Sequence, residues 1–298
     1  MATADTAVLR RFNRAWSQRI GVLEESYLGQ GRSLGASRLL FEIGPSGAGV
    51  LELRRRLGLD SGYLSRLLRT LENDGLVTVR ADHGDRRRRV AVPTTKGRRA
   101  IERLERRSED RALELVAPLG PSQRRRLDEA LVTAERLIRA ATSSIEPVAA
   151  DGPQASYAVG RYFAELQERF PDGFDSEGAA TTDVPGMSPP AGCFLVARVD
   201  EDVVACGGLQ RHTARVGEVK RMWVDPDWRG CGLGVRMLAA LEDEARRLGY
   251  GEVYLDTNAS LVEAIAMYER SGYHAIGRYS DNPYAQAWFA KRLASLPR

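Results

Sequence analysis

The run Glu218-Val219-Lys220-Arg221-Met222-Trp223-Val224, followed by Asp225-Pro226-Asp227-Trp228 and then Arg229-Gly230-Cys231-Gly232-Leu233-Gly234, decides the reading of the C-terminal half. Its first seven residues read as a strand, and Asp225-Pro226 ends it because proline donates nothing to a ladder. Behind the glycines, Leu233, Met237, Leu238, Leu241, Ala245 and Leu248 recur on one face of a long helix. Strand, glycine turn and helix start together form a cradle for a diphosphate. Glycines let main chain approach an anion closely, while unpaired amides at the helix start, the helix dipole and Arg229 supply positive potential. A dinucleotide fold needs Gly-x-Gly-x-x-Gly with an acid after the next strand, and a P-loop needs a Gly-Lys-Ser/Thr ending; neither is present.

The run resembles the acetyl-CoA signature Arg/Gln-x-x-Gly-x-Gly/Ala of the GNAT N-acetyltransferases, with Arg229, Gly232 and Gly234 at the defining positions. The resemblance extends over about residues 155–293, from a helix at 157–170 through strands at 193–199, 203–209, 218–224 and 252–256 to final strands near 273–278 and 287–290. The first family strand is not recognisable, and 181–192 reads as a mobile loop. What the resemblance implies is acetyl-CoA as co-substrate, held by Arg229, Gly230, Cys231, Gly232, Leu233 and Gly234, with the main chain of Met222, Trp223 and Val224 against the pantetheine arm. An acceptor amine follows from the same likeness, and no metal is called for.

Forming an amide from a thioester requires a proton acceptor for the ammonium, a group polarising the carbonyl and a donor for the departing thiolate. Glu218 lies eleven residues before Arg229, the spacing at which histone-acetyltransferase-like members place a base. Strand alternation puts its side chain on one face with Lys220, Met222 and Val224; the competing reading is a salt bridge to Lys220 or Arg221. Ala264-Ile265-Ala266-Met267-Tyr268 with Ser271-Gly272-Tyr273 resembles a family motif whose tyrosine protonates the thiolate, which assigns Tyr268. Leu261 stands where many members carry an asparagine, and Asn258 is the nearest amide for the pantetheine. His212 reads as surface. Trp223, Tyr250, Tyr254, Trp288 and Phe289 read as core, and the segment Asp281-Asn282-Pro283-Tyr284 as part of an acceptor pocket.

The N-terminal half is different in kind. Through Glu146 the chain holds 28 Lys+Arg against 19 Asp+Glu, net +9; the remainder holds 16 against 21, net −5, returning the overall +4. Only the first half suits a polyanion. Val50 to Leu57 reads as a short helix, Gly58-Leu59-Asp60 as a turn and Ser61 to Asn73 as a second helix with Leu64, Leu67, Leu68 and Leu71 inward. Its outward residues Ser61, Tyr63, Ser65, Arg66 and Arg69 suit base edges and phosphates in a major groove. Strands at 75–80 and 90–92 then flank a basic wing containing Arg86, Arg87 and Arg88.

This half resembles the MarR-type winged-helix regulators over about residues 5–145. Asp82, Asp85, Arg87, Thr94 and Gly97 match the family's wing and following motif, whereas Gly84 and Pro93 replace an arginine and a leucine. The likeness implies a double-stranded DNA operator as partner and a homodimer formed through terminal helices. Those helices carry apolar stripes at Val8, Phe12, Trp16, Ile20, Leu23 and Tyr27, then Ile101, Leu104, Ser108, Ala112 and Leu115, then Leu127, Leu131, Ala134 and Ile138.

The expected fold is therefore two domains. A mainly α winged helix-turn-helix with dimerisation helices occupies 1–146, a linker 147–154, and an α/β (α+β mixed-sheet) acyl-CoA N-acyltransferase fold 155–298. Cys193, Cys206 and Cys231 have no Cys-x-x-Cys spacing, so neither a disulfide framework nor a zinc site is expected. No apolar stretch approaches the ~20 residues of a membrane span, and Met1 to Asp5 do not resemble an export signal; the expected location is the cytoplasm. The function expected is a DNA-binding regulator joined to an acetyltransferase for a small amine. The alternatives are a regulator that senses acetyl-CoA without turnover and a protein lysine acetyltransferase acting on Lys96.

Overall fold

The computed structural model describes residues 6–22, 24, 26–82, 84–85, 87–170, 173–175 and 184–294. The chain divides into two compact units, Met1–Leu127 and Asp128–Arg298. Leu23, Arg86 and His83 lie outside the described residues.

In the first unit α1 spans Thr6–Arg19, α2 Leu34–Ile43, α3 Val50–Leu57, α4 Ser61–Asn73 and α5 Thr95–Val116. Strands β1 (Ala48–Gly49), β2 (Val77–Ala81) and β3 (Arg89–Pro93) make a small antiparallel sheet in the order β1-β3-β2. Helix α3 ends where Gly58 takes a left-handed φ of 61°, a conformation open to glycine at no steric cost. Asp60 then caps α4, its carboxylate accepting from Tyr63 N at 2.9 Å. Leu64, Leu67, Leu68 and Leu71 of α4 are buried with Leu39, Leu40 and Ile43 of α2 and Leu53 of α3, each fully buried leucine contributing about 1.5–3 kcal/mol relative to exposure. Helix α2 has no counterpart among the stripes read from the sequence, although Ser33 caps it and Gly44 closes it at φ 64°.

The Thr94-x-x-Gly97 pattern has a steric explanation. Thr94 Oγ1 accepts from Gly97 N at 3.0 Å, capping α5, and donates to Gly75 O at 2.8 Å. A Cβ on Gly97 would stand 2.0 Å from the Leu76 carbonyl oxygen, so α5 can start against β2 only with glycine there. By contrast α1 buries nothing of its own: Val8, Leu9, Phe12 and Trp16 are all exposed.

Helix α6 spans Pro121–Ala141, and the unit boundary falls within it. The second unit continues with β4 (Ser144–Val148), α7 (Pro153–Arg169), β5 (Cys193–Val199), β6 (Asp202–Arg211), β7 (Val216–Val224), α8 (Leu233–Arg247), β8 (Glu252–Thr257), α9 (Val262–Arg270), β9 (His274–Ala275) and β10 (Ala287–Arg292). They form a mixed sheet in the order β4-β5-β6-β7-β8-β10-β9. All pairings are antiparallel except β7 with β8, which are joined by the α8 crossover and therefore run parallel. Leu233, Met237, Leu238, Leu241 and Ala245 of α8 pack on Leu195, Ala197 and Val199 of β5. Ala155 and Ala158 of α7 lie with Phe194, Val196, Cys206 and Trp223 in a separate cluster.

Two expectations are corrected here. Residues 147–154 are not a free linker: Pro147 and Val148 pair with Leu195 and Phe194, so β4 is the first strand of the sheet, and Gly152 and Pro153 start α7. Proline in β4 is tolerated because this strand sits at the sheet edge. The described part of the 181–192 loop is also anchored, since Met187 is buried against the Phe194 cluster. Arg236 secures the same edge from the helix side, donating to Ser143 Oγ and O at 2.8 Å each.

Candidate active site and nucleic-acid interface

At the start of α8, Gly230 and Gly232 adopt left-handed φ angles of 76° and 81°, and a Cβ on either would meet open space. Backbone freedom, not crowding, is what these two positions require. Gly234 is the reverse case, for a Cβ there would lie 2.8 Å from Met267 Sδ on α9. The first helical bond runs from Arg236 N to Gly232 O at 3.1 Å, so the amides of the first turn have no intrahelical acceptor. Arg229 lies beside them, its Nε donating to Val224 O at 3.1 Å and its guanidinium ion-paired with Glu165 of α7. Glu165 also accepts from Trp223 Nε1 at 3.0 Å. Cys231 is partly exposed between the two turn glycines.

The strand leading into this turn departs from simple alternation. Gly208 pairs with Lys220 but Cys206 pairs with Trp223, so β7 carries one extra residue there. Arg221 occupies that bulge at φ 53°, a left-handed placement costing a non-glycine residue about 1–2 kcal/mol. Its buried guanidinium lies 5.4 Å from the Phe163 ring centre, and its carbonyl accepts from Cys206 Sγ at 3.3 Å. The bulge reverses which side chains point which way. Val219, Met222 and Val224 pack with the α8 core, while Trp223 belongs to the α7 cluster. Glu218 and Lys220 therefore share a face with each other and not with Met222 and Val224, correcting the expected alternation.

Pairing between β7 and β8 covers only Val216–Val219 against Glu252–Leu255. From Lys220 to Val224 the β8 side of β7 lies outside the ladder, a wedge opened by the bulge and crossover. Two cavities meet there. One, of about 460 Å³, is lined by the glycine turn, Met222, Trp223, Val224 and Met267. The other, of about 640 Å³, is lined by Glu218, Lys220, Asp256, Tyr279 and the Asn282–Tyr284 loop. Met222, Tyr162, Ala264 and Tyr268 line both.

Glu218 is 5% exposed and fully engaged. Its Oε1 accepts from Tyr279 Oη at 2.9 Å and faces Lys220 Nζ at 2.9 Å; its Oε2 accepts from Gln210 Nε2 at 2.8 Å. Lys220 also faces Asp256 Oδ2 at 3.3 Å, and Asp256 accepts from Ser280 Oγ at 2.7 Å and Asn282 Nδ2 at 3.1 Å. The salt bridge of the competing reading is present, to Lys220, and Glu218 also lines the larger cavity. Asp256, Tyr279 and Gln210 are members of this cluster that the sequence reading did not include. Gln210 and Asp256 were approachable from neighbouring strands, whereas Tyr279 lies in a stretch without periodic signal. His212, expected at the surface, is exposed and lies at the cavity's edge with its ring 5.1 Å from Tyr279 and 5.5 Å from Tyr254.

Tyr268 is 6% exposed, with its ring 6.1 Å from Phe289. Burial, then the charge of Asp256, raises its phenol well above the ordinary range, so it stays protonated. Tyr279 is raised in the same way by burial and by Glu218. Asn258 is committed elsewhere: its Nδ2 donates to Tyr284 O at 2.9 Å and its Oδ1 accepts from Ser260 N at 2.9 Å. It lines the larger cavity and is not among the residues lining the glycine-turn cavity.

In the first unit Ser61, Ser65, Arg66 and Arg69 of α4 are exposed, and Arg66 stacks over Tyr63 at 5.6 Å. Tyr63 is exposed as well; its hydroxyl lies near Gly35 and the residue lines a cavity of about 570 Å³. Beyond β2, Asp82 Oδ1 accepts from Gly84 N at 2.9 Å and Asp85 Oδ1 from Arg87 N at 3.0 Å, which shapes the loop. Arg87 points outward, and Arg88 pairs with Asp85 at 3.4 Å.

A parallel-strand wedge beside a glycine turn, entered by two cavities, defines an acyltransferase of the class that moves acetyl from acetyl-CoA to an amine; the helix-turn-helix and wing define a second module. The chain belongs to the GNAT acetyltransferase family, and a segment before that region matches the MarR family model. The family model described as Acetyltransferase (GNAT) family matches residues 160–273, and that of the MarR family matches 30–88. The chain is 36% identical over 130 residues to the IAA acetyltransferase of Azospirillum brasilense, covering 42% of this chain and 85% of that one. Its fold is similar to a GNAT-family acetyltransferase of Staphylococcus aureus Mu50 (TM-score 0.45, 16% identity, 51% of this chain, 100% of the other). A similar match is found with a MarR-family transcriptional regulator of Rhodococcus sp. RHA1 (TM-score 0.37, 16% identity, 45% of this chain, 97% of the other). Among the described residues no helix is long and apolar enough to cross a membrane.

Proposed function

We propose that the chain is a bifunctional cytoplasmic protein: a DNA-binding transcriptional regulator joined to an acetyl-CoA-dependent N-acetyltransferase whose acceptor is the amine of a small molecule. The observation that carries the enzymatic reading is the meeting of two cavities at Met222 and Tyr268, beside the open edge of β7. The open φ-positive glycines fit a diphosphate. Acetyl-CoA supplies the activated carbonyl when bound. Arg229 and the amides from Gly230 to Gly234 hold the diphosphate, and the main chain of Met222 to Val224 takes the amides of the pantetheine arm. Glu218 accepts the ammonium proton at a carboxylate oxygen, and Tyr268 keeps its proton at Oη for the departing sulfur. The enclosed polar cluster favours turnover over mere sensing, because a sensor needs no buried carboxylates beyond the cradle.

For the first unit, exposed Ser61, Ser65, Arg66, Arg69 and Arg87 support docking in a major groove with the wing alongside, Tyr63 and Arg88 contributing from the flanks. The apolar residues exposed on α1 support a homodimer. Acetyl-CoA titrations by calorimetry, with thiol release from a panel of amines, test the enzyme. Operator binding at rising salt tests the regulator: Arg66→Ala with Arg87→Ala should weaken binding and flatten its salt slope, and an unchanged slope would refute the assignment.

A further inference from the structure

We infer that the acceptor is an arylalkylamine, a primary amine on a short chain bearing an aromatic ring and no carboxylate; this rests on the acetyltransferase reading. The larger cavity has two unlike walls. On one side Phe163, Phe170, Phe174 and Tyr284 cluster, with Phe174 4.9 Å from Tyr284 and 5.2 Å from Phe163 between ring centres. Phe163 and Phe170 are buried, whereas Phe174 and Tyr284 keep part of their surface open. Half-covered rings lining a cavity bury their remaining apolar area only when an apolar occupant arrives, and aromatic occupants add ring geometry to that gain.

The opposite wall is ionic. Among the described side chains of this wall, the carboxylates of Glu218 and Asp256 flank the single ammonium of Lys220, whereas Arg221 lies over Phe163 and Asp175 N donates to Tyr284 Oη on the aromatic side. Lys220 is held between Glu218 and Asp256, whose side chains are 6% and 5% exposed. Two enclosed carboxylates sharing one ammonium favour a second cation, the charge that a protonated amine brings. A carboxylate on the same ligand would meet this wall with the wrong sign, and a polyamine would leave the aromatic wall uncovered.

The test uses the full chain with acetyl-CoA and four acceptors: 2-phenylethylamine, tyramine, L-phenylalanine and spermidine. The expected kcat/KM for the two arylalkylamines exceeds that for the other two by about tenfold or more. Phe174→Ala should lower kcat/KM for 2-phenylethylamine through KM by about tenfold while changing that for propylamine by less than about twofold. Asp256→Asn should raise KM for both amines. Equal or better turnover of L-phenylalanine or spermidine, or no turnover of either arylalkylamine, overturns the inference. Calorimetry separates the two levels: acetyl-CoA binding without arylalkylamine turnover removes only this acceptor class, whereas absent binding removes the acetyltransferase assignment itself.

Discussion

Tyr279 donates its hydroxyl to Glu218 Oε1 at 2.9 Å from a segment 61 residues further along the chain. That bond ties the loop before β10 to the strand that bears the proposed base, so it orients the carboxylate as well as satisfying it. Tyr279→Phe removes one of the three partners described for Glu218 and should lower kcat by about tenfold, the worth of one hydrogen bond to a charged group. Glu218→Gln should lower kcat by about a hundredfold or more. Both variants should bind acetyl-CoA within about twofold of the parent in calorimetry; a large loss of that affinity would make the cluster structural.

Burial decides the protonation of Tyr268. Its phenol is raised above the ordinary value of 10.0 by burial first and by Asp256 second. The neutral form is thus favoured in the fold, and its contribution to stability is complete below about pH 10 and lost as pH rises toward the folded value. The pH profile of kcat should show no descending limb from this group up to about pH 10. Tyr268→Phe should lower kcat by about a hundredfold with little change in acetyl-CoA affinity. A descending limb below pH 10 that disappears in Tyr268→Phe would contradict the assignment.

Gly97→Ala should be severe. The added carbon would stand 2.0 Å from a backbone oxygen, Leu76 O, which cannot swing aside as a side chain can. A loss of about 3 kcal/mol or more is expected for the first unit, read by urea denaturation and by loss of operator binding. Gly160→Ala is the contrast, since a Cβ there meets nothing within 4 Å in the middle of α7. It should leave stability unchanged or raise it by about 0.5–1 kcal/mol.

The cysteines report on the cradle. Burial pushes Cys193 and Cys206 up to about 12, which leaves almost no thiolate at neutral pH. Cys231, partly exposed between Gly230 and Gly232, should therefore be the one thiol alkylated quickly in the native protein. Saturating acetyl-CoA should slow that reaction by at least about tenfold. Unchanged labelling in the presence of the co-substrate would place the diphosphate elsewhere.

Local chemistry made much of the architecture legible. Asp60 before Ser61, the leucines of α4, the apolar stripe of α8 and the glycines at 230, 232 and 234 each carry their reason in spacing or backbone freedom. The strand β4 was not legible because Pro147 and the small residues after it look like a connector, and only pairing with Phe194 and Leu195 makes them a strand. Asn258 looked available because nothing in its neighbourhood reveals that Tyr284, far along the chain, takes its amide proton.

The sequence by itself determined most of the helices, strands and turns, that one half is basic and the other acidic, and that a glycine turn opening a helix follows Arg229. These are properties of near neighbours along the chain, fixed by side-chain period, capping and glycine's access to positive φ. Only the tertiary structure decided the face on which Glu218 lies, its union with Lys220, Asp256 and Tyr279, and the wedge between β7 and β8. A single extra residue at Arg221 reverses the strand's alternation, and that reversal exists only in register with β6, so no reading of one strand alone contains it.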